Sequence, residues 1–321
     1  MSTADLDGLL DCLDSLEKQD ISPESANEAL LINSGDVPKE LIDNICQKYP
    51  WIGVQYVDPE LDYYDSKMHG VKLATSEIII FADSDCCYKD GWLRSMLTPF
   101  SQDASVQVIG GETSMAIKGP YSLAMAMTYI FPPFSRKPGL YESSGYFCNN
   151  VAFRREFLMQ HPIPSKLPIY RGNCSAHSSN LKNLGYTIWR QPQSRATHAP
   201  PENLFHFFWR FLLMGSDDWL MGRKSQDLNT VSKKSTSAQL LFNRFHKAFR
   251  RGRTILREKP SRLIYLPLAL PIAIASLLLM CIGFVVAIFG PFYLLNHFEK
   301  LEHERDQVTA KTMQPSVLTE Q

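Results

Sequence analysis

The sequence lacks an excess of charge of either sign: 33 Lys and Arg stand against 33 Asp and Glu in 321 residues. A nucleic-acid-binding surface spread over the whole chain would need surplus cations, so that class is excluded and any basic surface must be local. Paired cysteines are lacking too. The seven cysteines (Cys12, Cys46, Cys86, Cys87, Cys148, Cys174, Cys281) are odd in number and thinly spread, without C-x-x-C spacing. This excludes a disulfide scaffold and a zinc ribbon, and favours a reducing compartment. The opening MSTADLDGLLD has acids where an export leader would have cations and then an apolar run. What is present, 45% apolar and 21% charged residues, suits one or two globular domains.

Charge is missing altogether from residues 263–295. A 33-residue helix would reach about 50 Å, against about 30 Å for a bilayer core. Pro267, Pro271 and Pro291 suggest where the run is cut, which leaves 272–290, roughly 28 Å, as one span; a tilted helix or shallow hairpin is the alternative. Residues 223–262 before it hold twelve Lys and Arg against Asp227 and Glu258, as a juxtamembrane segment facing anionic lipid headgroups would. Only Lys300, Arg305 and Lys311 follow it, so the positive-inside rule predicts a cytoplasmic N-terminal part. Residues 203–222 are dense in aromatics, with Trp209, Arg210 and Trp219, and read equally well as an interfacial helix or as packing against the soluble part. The expected organisation is a domain over 1–222, a basic segment over 223–262, a membrane segment over 263–295 and a polar tail over 296–321.

Within the first part, apolar residues at 6, 9, 10, 13 and 16 follow the helical period. EALLIN (28–33) then runs into the turn residues Asn33-Ser34-Gly35-Asp36, and a helix follows Pro38. The alternation repeats through 52–57 and a helix near 66–74 to EIIIFA (77–82), whose unbroken apolar character suits a strand covered on both faces. Such alternation predicts an α/β fold with a mainly parallel sheet and ligands beyond the strands' carboxyl ends. EIIIFA runs directly into Asp83-Ser84-Asp85. With a side-chain period of two, both carboxylates would project to one side and share a hard cation, Mg²⁺ or Mn²⁺, against a diphosphate. The same triplet is also a common turn.

The ordered set of LDGLLDCLDSLEKQD, LLINSGD, DSKMHGVKLATSEIIIFADSD, VIGGET, GYFCNNVAFRREFL and LGYTIWRQPQSRATHAP, over roughly residues 4–215, resembles the family 2 glycosyltransferases. The resemblance implies a GT-A type, Rossmann-like fold and transfer of a sugar from a nucleotide-sugar donor, assisted by Mg²⁺ or Mn²⁺. It implies that Asn33 and Asp36 meet the nucleoside, that Lys67 lies near the base or diphosphate, and that Asp83 contacts ribose or metal. Asp85 would coordinate the metal through the diphosphate, and His198 could reach the metal or diphosphate. Gly110-Gly111-Glu112 would let backbone approach the donor sugar, with Asn149 and Asn150 beside it. Each has a plain alternative as a turn former, helix cap or structural histidine. Implied partners are the donor, a glycan or lipid-linked acceptor, as in cell envelope polysaccharide synthesis, and membrane lipids, with no nucleic acid.

Two features depart from that family. Its members usually open on an apolar strand, and this chain opens on a helix. The general base usually comes from an acidic pair, and the matching stretch Tyr170-Arg171-Gly172-Asn173-Cys174-Ser175-Ala176-His177 holds no carboxylate. His177 and Glu112 are the remaining candidates, and a phosphate acceptor would need no protein base. The thiols Cys86 and Cys87 suit soft metals and are read as packing residues. No Gln-x-x-Arg-Trp motif appears, which favours single transfer over processive synthesis. The rival expectation is a catalytically degenerate GT-A-like membrane protein that only binds.

Overall fold

A computed structural model describes residues 3–34, 37, 39–227 and 237–313 of the chain. It opens on α1 (Thr3–Glu17), then β1 (Leu30–Asn33), α2 (Lys39–Lys48), β2 (Gly53–Tyr56), α3 (Tyr63–Leu73) and β3 (Ile78–Ala82). The predicted alternation of strand and helix is therefore present. Asp62 starts α3, its carboxylate accepting from the Tyr64 and Asp65 N–H groups at 2.7 Å, and Tyr64, Met68 and Val71 form the helix's buried stripe. The helix then carries Tyr63 and Lys67, one turn apart, on a neighbouring, half-buried face.

Next come β4 (Cys86–Tyr88), α4 (Trp92–Gln102), β5 (Val108–Met115), α5 (Pro120–Thr128), β6 (Tyr141–Glu142), β7 (Asn150–Arg154), α6 (Arg155–Gln160), α7 (Asn173–Asn183) and β8 (Trp189–His198). Six strands form one sheet in the order β3-β7-β5-β8-β4, with β6 alongside β8. This sheet is mixed. β5 and β8 are parallel, while β7 runs antiparallel to both β3 and β5, and β4 antiparallel to β8. A single crossover helix would keep neighbours parallel, but β5 and β7 are joined by α5 and a long loop. β1 and β2 form a separate parallel pair. Its link to the rest is through side chains: Glu28 Oε1 accepts from the Thr75 and Ser76 N–H groups at 2.5 and 3.2 Å. β5 is buried almost throughout, so the core lies on both faces of the sheet, with Val151, Phe153 and Leu158 on one side and Cys86, Trp92 and Met96 on the other.

The last elements are α8 (Leu204–Asp227), α9 (Ser237–Glu258), α10 (Leu266–Phe289) and α11 (Tyr293–Met313). The chain divides into two compact units, Met1–Leu167 with Gly172–Glu202 and His246–Ala273, and Pro168–Arg171 with Asn203–Phe245 and Ile274–Gln321. The borders differ from the expected linear division, because part of the basic segment belongs to the first unit. There Arg251 donates to the Tyr129 and Ile130 carbonyls, and a Cβ on Gly252 would come within 2.9 Å of Met127 Cε.

In the second unit α8 and α10 cross at backbone contact: a Cβ on Gly215 would lie 2.0 Å from the Met280 carbonyl oxygen. Trp209, Leu212 and Leu213 of α8 pack with Leu294 and Phe298 of α11, so the aromatic stretch 203–222 is in good part packing surface. Asp217 joins α8 to the chain at 170–171 by accepting from the Tyr170 and Arg171 N–H groups at 2.9 and 2.8 Å; burial raises its pKa to about 6. Residues 260–289 are long and apolar enough to cross a membrane, with mean hydropathy 2.9. The expected cut at Pro271 does not occur, since the helix runs through it. Pro271 stands near the helix start, where the lost N–H bond is one of the first the ladder would make. Helix α11 occupies much of the expected polar tail.

Candidate active site

The regular strand stops at Ala82. From Asp83 the chain turns, the Cys86 N–H donating to the Asp83 carbonyl at 3.2 Å, so the period-two argument for neighbouring carboxylates ends there. The two acids accordingly face different neighbours.

Asp83 faces α3. Its carboxylate accepts from Lys67 Nζ at 2.6 Å and from the Tyr63 hydroxyl at 2.7 Å. The Lys67 and Asp83 side chains are only 13% and 17% exposed. Burial opposes charge on both, but their mutual attraction and the Tyr63 hydrogen bond outweigh it, holding Asp83 below the usual carboxylate range and Lys67 above the usual amine value. The backbone is fixed as well: the Asp83 N–H donates to the Tyr88 hydroxyl at 2.9 Å, which donates to the Asn149 carbonyl at 2.8 Å.

Asp85 faces β8. The pairing of Cys86 with His198 sets it beside that histidine, and Asp85 Oδ2 lies 3.1 Å from His198 Nε2. The other ring nitrogen, Nδ1, is 2.5 Å from the Ala199 carbonyl, an oxygen that can only accept, so Nδ1 carries a proton. Nε2 is then the ring atom that faces the carboxylate oxygen, and it can meet it through a proton of its own or through a shared cation; an imidazole whose far N–H is held by a carbonyl is the usual form of a metal-ligating histidine. One oxygen and one nitrogen donor fit Mn²⁺ or Mg²⁺ with the remaining positions left to diphosphate and water. Asp85, Cys86 and His198 donor atoms all lie within 4.8 Å of one another. Cys86 does not suit a third ligand, because burial, and then Asp85 and Asp83, push its thiol well above the ordinary value, and it packs beside Trp92 and Met96. Phe131 backs the His198 ring at 4.7 Å between centroids.

The remaining predicted residues have structural work. Asn150 is fully buried: it donates to the Glu112 and Ser194 carbonyls, both at 3.1 Å, and accepts from Trp92 Nε1 at 2.8 Å. Gly111 makes room for that amide, since a Cβ there would lie 2.3 Å from Asn150 Oδ1 and 2.4 Å from the Ser194 oxygen. The expected approach of this backbone to a sugar is thus replaced by an approach to Asn150. Asn149 accepts from the Thr113 hydroxyl at 3.0 Å. Glu112, on β5 just past an irregularity in its pairing with β8, accepts from the Ser135 N–H at 2.9 Å and lies 4.0 Å from Arg195. It is three residues from Met115, the register partner of His198, or about 10 Å along the strand.

His177 does not fit the role of general base. It is 1% exposed, its Nδ1 pairs with the Tyr146 hydroxyl at 2.5 Å and its Nε2 with the His161 carbonyl at 2.9 Å. Burial lowers its pKa to about 4, and neither nitrogen is left to receive an acceptor's proton. Asn33 ends β1, buried, its carbonyl accepting from the Val57 N–H at 2.9 Å. Asp36 lies outside the described residues. Tyr63 was missed; its signal was the four-residue spacing to Lys67. Arg190 was missed as well: half-buried, it donates to the Gly111 and Gly145 carbonyls, with no sequence signal beyond its place in a strand.

A mixed α/β sheet flanked by helices, with acids leaving the end of β3 and a histidine ending β8, has the architecture of the GT-A type of fold. Residues 5–161, just under half of the chain, match the sequence model described as Glycosyl transferase family 2. Among curated proteins no sequence matches it significantly. Among solved structures it is similar to the mannosyltransferase PcManGT from Pyrobaculum calidifontis, in complex with GDP-Man and Mn²⁺, at 13% identity and TM-score 0.54, over 87% of this chain and 83% of that one. It is similar to S. aureus TarS 1-349 in complex with UDP-GlcNAc, at 15% identity and TM-score 0.50, over 82% and 75%. GalNAc-T7 with UDP, GalNAc and Mn²⁺ matches at 14% identity and TM-score 0.49, over 79% of this chain and 56% of that one. At such identities the likeness is one of fold.

Proposed function

We propose that this protein transfers a sugar from a nucleotide-diphosphate donor to an acceptor at the cytoplasmic face of a membrane, with Asp85 and His198 holding a divalent cation. The observation that carries this reading is the 3.1 Å meeting of Asp85 Oδ2 with His198 Nε2 at the end of the sheet, beside the Lys67–Asp83–Tyr63 cluster. When bound, Mg²⁺ or Mn²⁺ supplies charge neutralisation to the departing diphosphate. Lys67 brings fixed positive charge, and Asp83, held on both oxygens by Lys67 and Tyr63, orients it. The structural neighbours with GDP-Man and Mn²⁺ or with UDP-GlcNAc support a nucleotide-sugar donor. The acceptor is a glycan or a lipid-linked molecule. Glu112 is the carboxylate that remains as base, unless the acceptor oxygen is already an anionic phosphate. Helix α10 anchors the protein in the bilayer.

The test is thermal stability with Mn²⁺ and a panel of UDP-, GDP- and dTDP-sugars. A ligand at 100 times its Kd stabilises by about 2.7 kcal/mol, several degrees for a domain of this size. A metal-dependent rise with one donor type is expected; no rise with any member of the panel would count against the reading.

A further inference from the structure

In the second unit α10 has two opposite faces. Ser276, Leu277, Met280, Gly283, Phe284 and Ala287 are buried on one side. That side is seated on α8 at backbone contact, Gly215 against the Met280 carbonyl and Gly283 against the Leu212 carbonyl. Ile274, Leu278, Ile282, Val285 and Phe289, spaced i, i+4, i+8, i+11, i+15, line the other side and are exposed. Every exposed residue from Ile274 to Phe289 is apolar. The patch that receives a protein partner ends in a polar rim, and this stripe has none along about 22 Å, so hydrocarbon is the surface that matches it. Helix α8 brings the opposite chemistry to the same level. Met280 is one residue from the middle of 272–290, and Asp217 and Asp218 follow its partner Gly215 by about 3–5 Å along the axis of α8. Asp218 pairs with Arg244, both side chains 26% exposed, and Asp217 holds the non-helical backbone of Tyr170 and Arg171.

We infer that residues 274–289 of α10 lie in the plane of a single leaflet, with the Ile274–Phe289 stripe among the acyl chains and α8 on the headgroup side, rather than across the bilayer. A transverse α10 would carry the middle of α8 to the bilayer centre. The partly exposed Asp218–Arg244 pair would then stand in hydrocarbon, where ionised side chains are costly, and the irregular backbone at 170–171 would lie at a depth with no water to satisfy it. Turned into the plane, the same packing has no such conflict. The apolar stripe meets lipid along its whole length, and the polar face that an interfacial helix needs is supplied by the helix packed on its back. The inference rests on the reading of α10 as the membrane anchor and assigns that anchor an orientation.

The test reads depth. In the full-length protein Ile274, Ile282 or Phe289 is replaced by p-acetylphenylalanine and labelled with a nitroxide, which leaves the cysteines untouched, and each variant is reconstituted in phosphatidylcholine vesicles. Collisions with oxygen, which enters hydrocarbon, and with a water-soluble nickel chelate give the depth of each label by electron paramagnetic resonance. The same depth below the headgroups at all three positions is expected. A label at 282 deeper by about 10–12 Å than those at 274 and 289 is the pattern of a transverse helix, and it overturns the inference while leaving α10 an anchor. Labels open to the nickel chelate at all three positions remove both the inference and the membrane role of α10. So do labels shielded from both reagents, the mark of a second copy of the chain on this face. The three residues are exposed, so the replacements leave the packed face intact, and an unchanged melting temperature confirms it.

Discussion

Lys67→Met should strand the Asp83 carboxylate in a largely closed site. Removing one member of a buried ion pair costs about 3–5 kcal/mol. Here both side chains keep some exposure, 13% and 17%, and Tyr63 still donates to Asp83, so about 2–3 kcal/mol is expected. At about 2–4 °C per kcal/mol the melting temperature should fall by roughly 4–12 °C. Asp83→Asn in the same background should recover more than half of the loss, because no charge is then stranded. The pH dependence supplies a second check. In the wild type Asp83 has a depressed pKa, so its contribution is present above the unfolded value near 3.9 and is lost as pH falls through the folded value. In Lys67→Met burial raises that pKa, so acid relieves the variant and the gap to wild type should close as pH falls. Thermal melts from pH 8 down to about 2 follow both. A melting temperature within 1 °C of wild type, or a gap that widens in acid, would show that the pair is not the structural unit described.

His177→Gln should leave transfer activity within a few-fold at low temperature while lowering stability at neutral pH. Its folded pKa of about 4 lies below the unfolded 6.5, so the wild type loses about 3 kcal/mol as pH falls from 6.5 to 4, and urea titrations of the variant should lack that part of the slope. A rate loss above a hundredfold with unchanged stability would restore the histidine as base. Gly111→Ala should destabilise by about 3 kcal/mol or more, because its Cβ overlaps both Asn150 and the Ser194 carbonyl; soluble expression and melts report it. Deleting residues 263–321 should release the protein from membranes in fractionation, and continued pelleting would move the attachment elsewhere.

The parts of the fold legible in the sequence were those fixed by local pattern. Alternating apolar runs gave the order of strands and helices, and EIIIFA followed by two acids marked a strand end where ligands gather. Pairing direction was not legible, because β7 is placed by a long-range return of the chain that no local period records. Lys67, Asp83, Asp85 and His198 do meet in pairs, but the sequence could not show which pairs: the turn after Ala82 sends Asp83 toward α3 and Asp85 toward β8. Gly111 and Asn150 carried a family signal and turned out to satisfy each other, which only the three-dimensional neighbourhood reveals.

The most direct test is Mn²⁺ binding followed by electron paramagnetic resonance in the presence of nucleoside diphosphate, with wild type beside Asp85→Ala, His198→Ala and Asp83→Asn. One bound ion in the wild type is expected, with affinity falling at least tenfold in the first two variants and less in the third. Wild-type affinity in Asp85→Ala and His198→Ala, or a loss confined to Asp83→Asn, would place the ion elsewhere.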